Sequence, residues 1–494
     1  MFVMMLISLY SSRIILQALG KSDYGLYSVV GGFIALFFFI SNSLSVATER
    51  FMAYAIGKKD DVLRKKIFSL FLVLYAVLAV IILLVGLIIG IPFVKYQLNI
   101  PEGREFAAQF VFVFSLFTAI VSFMRIPYNA AIIANEKMGF YSWISIAEAI
   151  LKLLIIYLLL VVDYDKLETY AVFQLLATLA VTLVYVIYCS INFNDYITKG
   201  VFDKTLIVKL GNFAGWNFYG GLADMSILQG LSILLNLFFG TIINAAQAIA
   251  NAVKSQIAAS INNINIASGP AFTKYYAEGD LVSVRNLLFT ISKINYFLLL
   301  LICLPIITVL PSILNVWLGV GAYPQETVIF TRLLLINTLI DTIPGAAQSV
   351  VFASGKIGKY QFIISSLKYI SILFVFIIFK LYDKPETAYY VLIVFSLPRI
   401  IYQIHYCCNL LKISMVVFFK NILIKDIQVT IFSIIVAFSI VKIFHFLLEV
   451  PSLINMIEGV SIFIMTGLII FIGGLNSLER GRILYIIRKR LKNE

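Results

Sequence analysis

Charge is what this 494-residue sequence has least of. Asp, Glu, Lys and Arg together make up 13% of it, about half the share found in a soluble domain, which excludes a cytosolic enzyme, a secreted domain and a disordered tail. Histidine is nearly missing, and neither His405 nor His445 stands at ligand spacing to Cys, Asp or Glu, so no metal site is read. The four cysteines, Cys189, Cys303, Cys407 and Cys408, lie in or beside apolar segments and are read as packing residues. A phosphate loop is missing too: Gly20-Lys21-Ser22 has the ending of one, but Ile15 stands where its first glycine belongs. Large loops are also wanting. The longest on the external side, near 92–106 and 311–325, hold about 15 residues, too few for the acidic or His-bearing loop of a lipid-linked glycosyltransferase or polymerase. No catalytic residue, no cofactor and no enzyme activity is expected.

What remains is apolar. Hydrophobic residues make up 61% of the chain, with 41 Phe and 27 Tyr, and the mean hydropathy is +0.99. Apolar runs of about 20 residues recur from end to end, long enough to cross a bilayer as helices. Their continuity argues against barrel strands, which alternate. Fourteen spans are placed near 1–18, 26–47, 67–91, 107–128, 141–162, 168–190, 212–238, 241–269, 286–310, 326–350, 359–380, 386–410, 422–447 and 452–475. The expected fold is an all-α integral membrane protein. No cleavable leader is read, since the first span begins at Met1 without a charged region before it. That leaves either an unusually anchored first span or a longer natural N-terminus.

The net charge of +13 is topological, since no basic block is interleaved with a nucleic-acid-reading module and no nucleic acid is expected. Alternate loops carry 25 Lys and Arg on one side against 6 on the other. Positive loops face the cytoplasm, so both termini and the even-numbered loops are placed there. The basic tail from Arg480 to Lys492 suits a membrane surface.

A repeat supports two lobes. Ile126-Pro127 leads through Ala130 to Lys137, Gly139 and Tyr141, and Ile343-Pro344 leads through Ala347 to Lys356, Gly358 and Tyr360. Six helices per copy preserve direction, giving two parallel six-helix lobes of the kind transporters build around a central site. The chain is divided accordingly into an N-lobe (1–190), a cytoplasmic linker (191–211), a C-lobe (212–410) and two further helices with the basic tail (411–494).

Ionisable residues inside the spans are costly, and should face a cavity or a partner. They are Arg13, Arg125, Glu148, Lys152, Asp224, Lys254, Arg332, Asp341, Lys368, Arg399 and Lys442, eight cations against three anions. Glu148 and Lys152 stand four apart and can neutralise each other. The eighth span adds Asn244, Gln247, Asn251, Asn262 and Asn265 around Lys254, all on one helical face. Such a stripe suits a water-filled cavity for hydroxyl-rich or anionic material, the competing reading being interhelical amide bonding.

Several short motifs carry a resemblance. Ser11-Ser12-Arg13, Leu19-Gly20, Asp23-Tyr24-Gly25-Leu26-Tyr27, Asn135-Glu136-Lys137-Met138-Gly139-Phe140-Tyr141, Phe238-Phe239-Gly240 and Asn244-Ala245-Ala246 resemble the Wzx-type polysaccharide flippases of bacteria. Their superfamily also holds multidrug and toxin extrusion antiporters and lipid II flippases. The sequence departs from the pattern after Pro270, where Ala271-Phe272 replaces Gln and an aliphatic residue. The resemblance implies alternating access and a polyprenyl-pyrophosphate-linked oligosaccharide carried from the cytoplasmic to the external leaflet of the bacterial inner membrane. It also implies that Arg13 holds pyrophosphate.

The substrate-binding set expected on these grounds is Arg13, Asn244, Gln247, Asn251, Lys254, Arg332 and Arg399. Asp224, Glu148 and Asp341 are the expected ion-coupling carboxylates, for H+ or Na+. Membrane lipids are the expected surroundings and a monomer the expected state. The alternatives are a cation-coupled drug antiporter of the same fold, which should show uncompensated carboxylates, a membrane glycosyltransferase, and a non-transporting scaffold.

Overall fold

The structure is a computed structural model that describes residues 14–15, 19, 23, 27, 44–92, 94, 100, 103–193, 204–321, 323–447, 451–476 and 479–481. The first two expected spans lie outside the described residues, apart from scattered positions and the helix α1 (44–57). The helices α2 (Asp61–Gly90), α3 (Glu105–Ala134), α4 (Met138–Val161), α5 (Lys166–Asn192) and α6 (Ile207–Gly240) follow. Next come α7 (241–278), α8 (Leu281–Leu318), α9 (Glu326–Thr342), α10 (Ala347–Ser354), α11 (Gly358–Leu381), α12 (Thr387–Leu411), α13 (Met415–Phe444) and α14 (Pro451–Ile469). The described residues contain no strand. The chain is a multi-pass membrane protein, as its apolar runs dictate.

Ten of these helices are long and apolar enough to cross a membrane, or eleven when α9 and α10, bent by 51°, count as one span. The expected eighth span, α7, falls outside that set because its amides and Lys254 dilute it. Helix starts are set locally. Asp60, Asp165, Asp280 and Ser414 each accept a hydrogen bond from a backbone N–H of the first turn they precede. Gly240, at φ 82°, separates α6 from α7 with a backbone conformation costly for other residues.

The two copies of the repeat turn at the same place but not in the same way. Glu136 (φ 58°) and Gly355 (φ 73°), 219 positions apart, both close their helices in the left-handed region. Pro127, however, sits inside an unbroken α3, while Pro344 falls in the bend between α9 and α10. The residue after the proline differs: Tyr128 continues the helix, whereas Gly345 takes φ 57°. A side chain on Gly345 would fall 2.1 Å from Ser292 Oγ of α8. That Oγ instead accepts the Ala346 N–H at 3.1 Å, so the bend is stitched to α8.

Two compact units result, Met1–Phe218 with Gly269–Gly279, and Tyr219–Ser268 with Asp280–Glu494. The first is packed around Phe68, Phe71, Tyr75, Phe112 and Phe123, all fully buried. The second has one core between α6, α7, α9, α11 and α12, built on Leu235, Ala246, Phe330, Val375 and Tyr389. Another core, between α8, α13 and α14, is built on Phe297, Leu300, Val429, Ala437 and Ile462. The last two helices, α13 and α14, are the pair that follows the two six-helix lobes in the sequence. Their buried apolar faces meet α8 and make them part of the second unit.

Candidate functional site

Five helices of the second unit, α6, α7, α9, α11 and α12, surround a cavity of about 260 Å³. Lys254 lines it together with Asn251 and Gln247, one and two turns earlier on the same face of α7. Asp224 comes from α6, Asn337 and Asp341 from α9, Lys368 and Ser371 from α11, and Arg399 from α12. Apolar side chains, Leu231, Leu334 and Leu392 among them, make up the rest of the walls.

The charges in this cavity are cross-linked in pairs. Lys368 Nζ lies 2.5 Å from Asp224 Oδ1, tying α11 to α6, and Arg399 pairs with Asp341, tying α12 to α9. Lys254 is the fifth charge, and among the described residues it has no ion-pair partner. Asp341 and Asp224 act on its ammonium favourably, Arg399 and Lys368 unfavourably. The lining thus carries three cations and two carboxylates, a formal excess of one positive charge in a low-dielectric setting. Two amide oxygens at the wall, Gln247 Oε1 and Asn337 Oδ1, are buried and accept no hydrogen bond. Each is an amide acceptor left unpaired within the lining residues.

Of the residues expected from sequence, Gln247, Asn251, Lys254 and Arg399 come together here, along with the carboxylates Asp224 and Asp341. Asp224 is salt-bridged to Lys368 rather than to Lys254. Asn244 is not part of the lining. Its Oδ1 accepts from the Ser232 hydroxyl at 2.7 Å, and farther along α7, Asn265 Oδ1 accepts from Asn295 Nδ2 at 2.9 Å. The stripe is cavity lining in its middle and interhelical bonding at both ends. Arg332 is also elsewhere: its Nε donates to the Ile307 carbonyl at 3.1 Å, because it sits on the opposite side of α9 from Leu334, Asn337 and Asp341. Arg13 lies outside the described residues.

Glu148 belongs to the first unit. Its Oε2 is 3.0 Å from Arg125 Nη1 and its Oε1 is 2.8 Å from Lys152 Nζ, so both carboxylate oxygens are occupied. The Arg125 guanidinium also lies 5.6 Å from the centre of the Tyr185 ring. Sequence reasoning did not include Asn337, Lys368 or Ser371 in the site. Asn337 stands one turn before Asp341, and that spacing is the signal that places it on the same face. The four cysteines are buried and free.

No family model and no curated protein matches this sequence. Solved structures do match it. The chain is similar to a multidrug resistance MATE family transporter of the MOP superfamily in its outward-facing conformation, with TM-score 0.70 and 13% identity over 83% of this chain and 94% of that one. The Vibrio cholerae MATE transporter VcmN in its bent form gives 0.67 and 16% over 84% and 95%. A MOP superfamily transporter from Pyrococcus furiosus, described as having a binding pocket of reverse polarity that suggests a different function, gives 0.67 and 11% over 83% and 93%. The chain has the fold of these transporters.

Proposed function

We propose that this protein is a flippase that moves a polyprenyl-pyrophosphate-linked oligosaccharide across the bacterial inner membrane by alternating access, in cell-surface polysaccharide biosynthesis. The observation that carries this reading is Lys254, a cation with no ion-pair partner among the described residues, in a cavity whose other charges cancel in pairs. A pyrophosphate supplies the missing negative charge through short charge-assisted hydrogen bonds. The unpartnered amide oxygens Gln247 Oε1 and Asn337 Oδ1 suit the hydroxyls of a sugar. A cavity of about 260 Å³ is near the lower end of small-molecule sites, about 300 Å³, so it holds the pyrophosphate and adjoining sugar rather than the whole chain. The protein translocates this substrate and does not transform it. It acts as a monomer with both termini in the cytoplasm, and draws on a proton or sodium gradient or on the membrane potential.

Reconstitution in liposomes with a pyrophosphate-linked oligosaccharide tests this. Wild type is expected to expose the glycan to an external lectin, while Lys254→Ala stalls though folded. Wild-type liposomes that leave the glycan inaccessible refute the reading.

A cation-coupled drug antiporter is the second reading, and one observation favours it. In both cavity ion pairs the carboxylate is the more open partner, with Asp224 and Asp341 side chains 67% and 36% exposed against 14% and 15% for Lys368 and Arg399. Efflux of cationic dyes against an ion gradient, without glycan movement, would establish it.

A further inference from the structure

Each carboxylate expected to couple transport to an ion is held by a cation, and a described carboxylate with both oxygens unpartnered lies elsewhere. Asp426, on α13, is 1% exposed, and neither of its oxygens accepts a hydrogen bond. One turn on, the Thr430 hydroxyl donates to the backbone carbonyl of Asp426 at 2.7 Å and sits 2.8 Å from the Tyr296 hydroxyl of α8. Both hydroxyls are therefore engaged away from the carboxyl. Ser433, two turns on, has a buried Oγ that is also unpartnered. Apolar packing of Phe297, Leu300, Val429 and Ala437 encloses this seam.

The charged and titratable groups around Asp426 are few. Lys293 of α8 acts on it electrostatically but places its Nζ 3.3 Å from Glu479 Oε1. Glu479 Oε2 in turn accepts from the Asn476 backbone at 2.7 Å. Lys425, next to Asp426 in sequence, donates to Asn476 Oδ1 at 2.8 Å. Arg480 donates to the carbonyls of Leu475 and Ile472, and Tyr296 is the neighbouring phenol on α8. Glu458 of α14 lies toward the far end of α8, since the adjoining Gly459 packs on Val309, sixteen residues beyond Lys293. An ionised carboxylate in an apolar seam needs a cation or donors, and without them it takes up a proton instead.

We infer that Asp426 is a proton-binding site outside the substrate cavity, protonated in this conformation and discharged when Lys293 leaves Glu479 for it. A proton from water forms the O–H bond on the Asp426 carboxyl. When the ammonium of Lys293 turns to Asp426, that bond breaks and the proton returns to water. Lys293 keeps its charge throughout, and only its partner changes. The seam joins α8 to α13, so the exchange ties a proton to the packing of the last two helices. This inference does not depend on the identity of the substrate.

The test is an infrared pH titration of the full chain in lipid vesicles, in sodium and in choline salts. Wild type is expected to show a protonated-carboxyl C=O band at neutral pH in both salts, and Asp426→Asn to lose it in the difference spectrum. Lys293→Gln removes the cation that favours the carboxylate, so the band should persist about one to three pH units higher. If Asp426→Asn does not fold, the Lys293→Gln titration against wild type decides. No band in wild type at neutral pH, a band unchanged by Asp426→Asn, a band abolished by sodium, or a titration unmoved by Lys293→Gln each overturns the inference.

Discussion

The two units treat these intramembrane charges differently. In the first, Arg125 and Lys152 close on the two oxygens of Glu148 at 3.0 and 2.8 Å, and the three side chains form a compact cluster. In the second, the charges are spread over five helices around an open volume, and Lys254 stands apart from both ion pairs. The lesson is that a count of intramembrane charges does not locate a binding site. What matters is whether the charges satisfy one another, because a satisfied cluster has nothing to offer a ligand while an unsatisfied one does.

The largest effect should come from breaking the closed cluster. Glu148→Ala leaves two cations facing each other and is expected to cost about 2 to 3 kcal/mol of stability, read as a lower unfolding temperature in detergent. The corresponding change in the open unit, Asp224→Ala, removes a carboxylate that is 67% exposed and should cost at most about 1 kcal/mol. Equal losses would erase the distinction between the units.

Lys254→Ala is the next largest. It should weaken binding of the pyrophosphate-linked substrate by about 1.5 to 3 kcal/mol, tenfold or more at about 1.4 kcal/mol per decade, with the unfolding temperature unchanged. Lys254→Arg should restore most of the affinity. Gln247→Leu or Asn337→Leu should act on the sugar alone. Losing one neutral hydrogen bond of about 1 kcal/mol lowers affinity for the glycosylated substrate roughly fivefold, leaving bare pyrophosphate unaffected in a competition measurement.

The smallest effect is in acid, outside the membrane-spanning segments. Burial raises the pKa of the Asp165 carboxyl, but the Arg104 hydrogen bond and the N–H groups of Glu168 and Leu167 outweigh it and hold it below its usual value. Asp280 is held down by Ser283 and by backbone N–H donors. A depressed carboxyl stabilises the fold above its unfolded value, near pH 4, and that contribution fades as pH falls through the folded value. Unfolding temperatures should therefore drop below about pH 4, and Asp165→Asn should flatten that drop more than Asp280→Asn, since Asp165 also answers Arg104.

Much of the fold was legible because the bilayer dictates it. Apolar runs of span length became the helices from α2 onward, and the repeat found its two turns at Glu136 and Gly355. The bend at Pro344 was not legible from the proline, since Pro127 leaves α3 intact, and it took the following Gly345 and its contact with Ser292 to make it. Within the site, the face of α7 was readable from spacing, but not where lining gives way to interhelical bonds, which depends on Ser232 and Asn295 facing Asn244 and Asn265. Nor could sequence pair Asp224 with Lys368, 144 positions apart, or turn Arg332 away from Asn337. Those outcomes belong to tertiary packing.

The central claim is that the cavity around Lys254 prefers an anion. Calorimetric binding of a pyrophosphate-linked oligosaccharide and of a cationic dye to the purified protein, wild type beside Lys254→Ala, tests it most directly. The account predicts that wild type binds the pyrophosphate compound, that Lys254→Ala binds it at least tenfold more weakly, and that the dye gains in the variant. Dye binding in wild type with no response of the pyrophosphate compound to the substitution would contradict it.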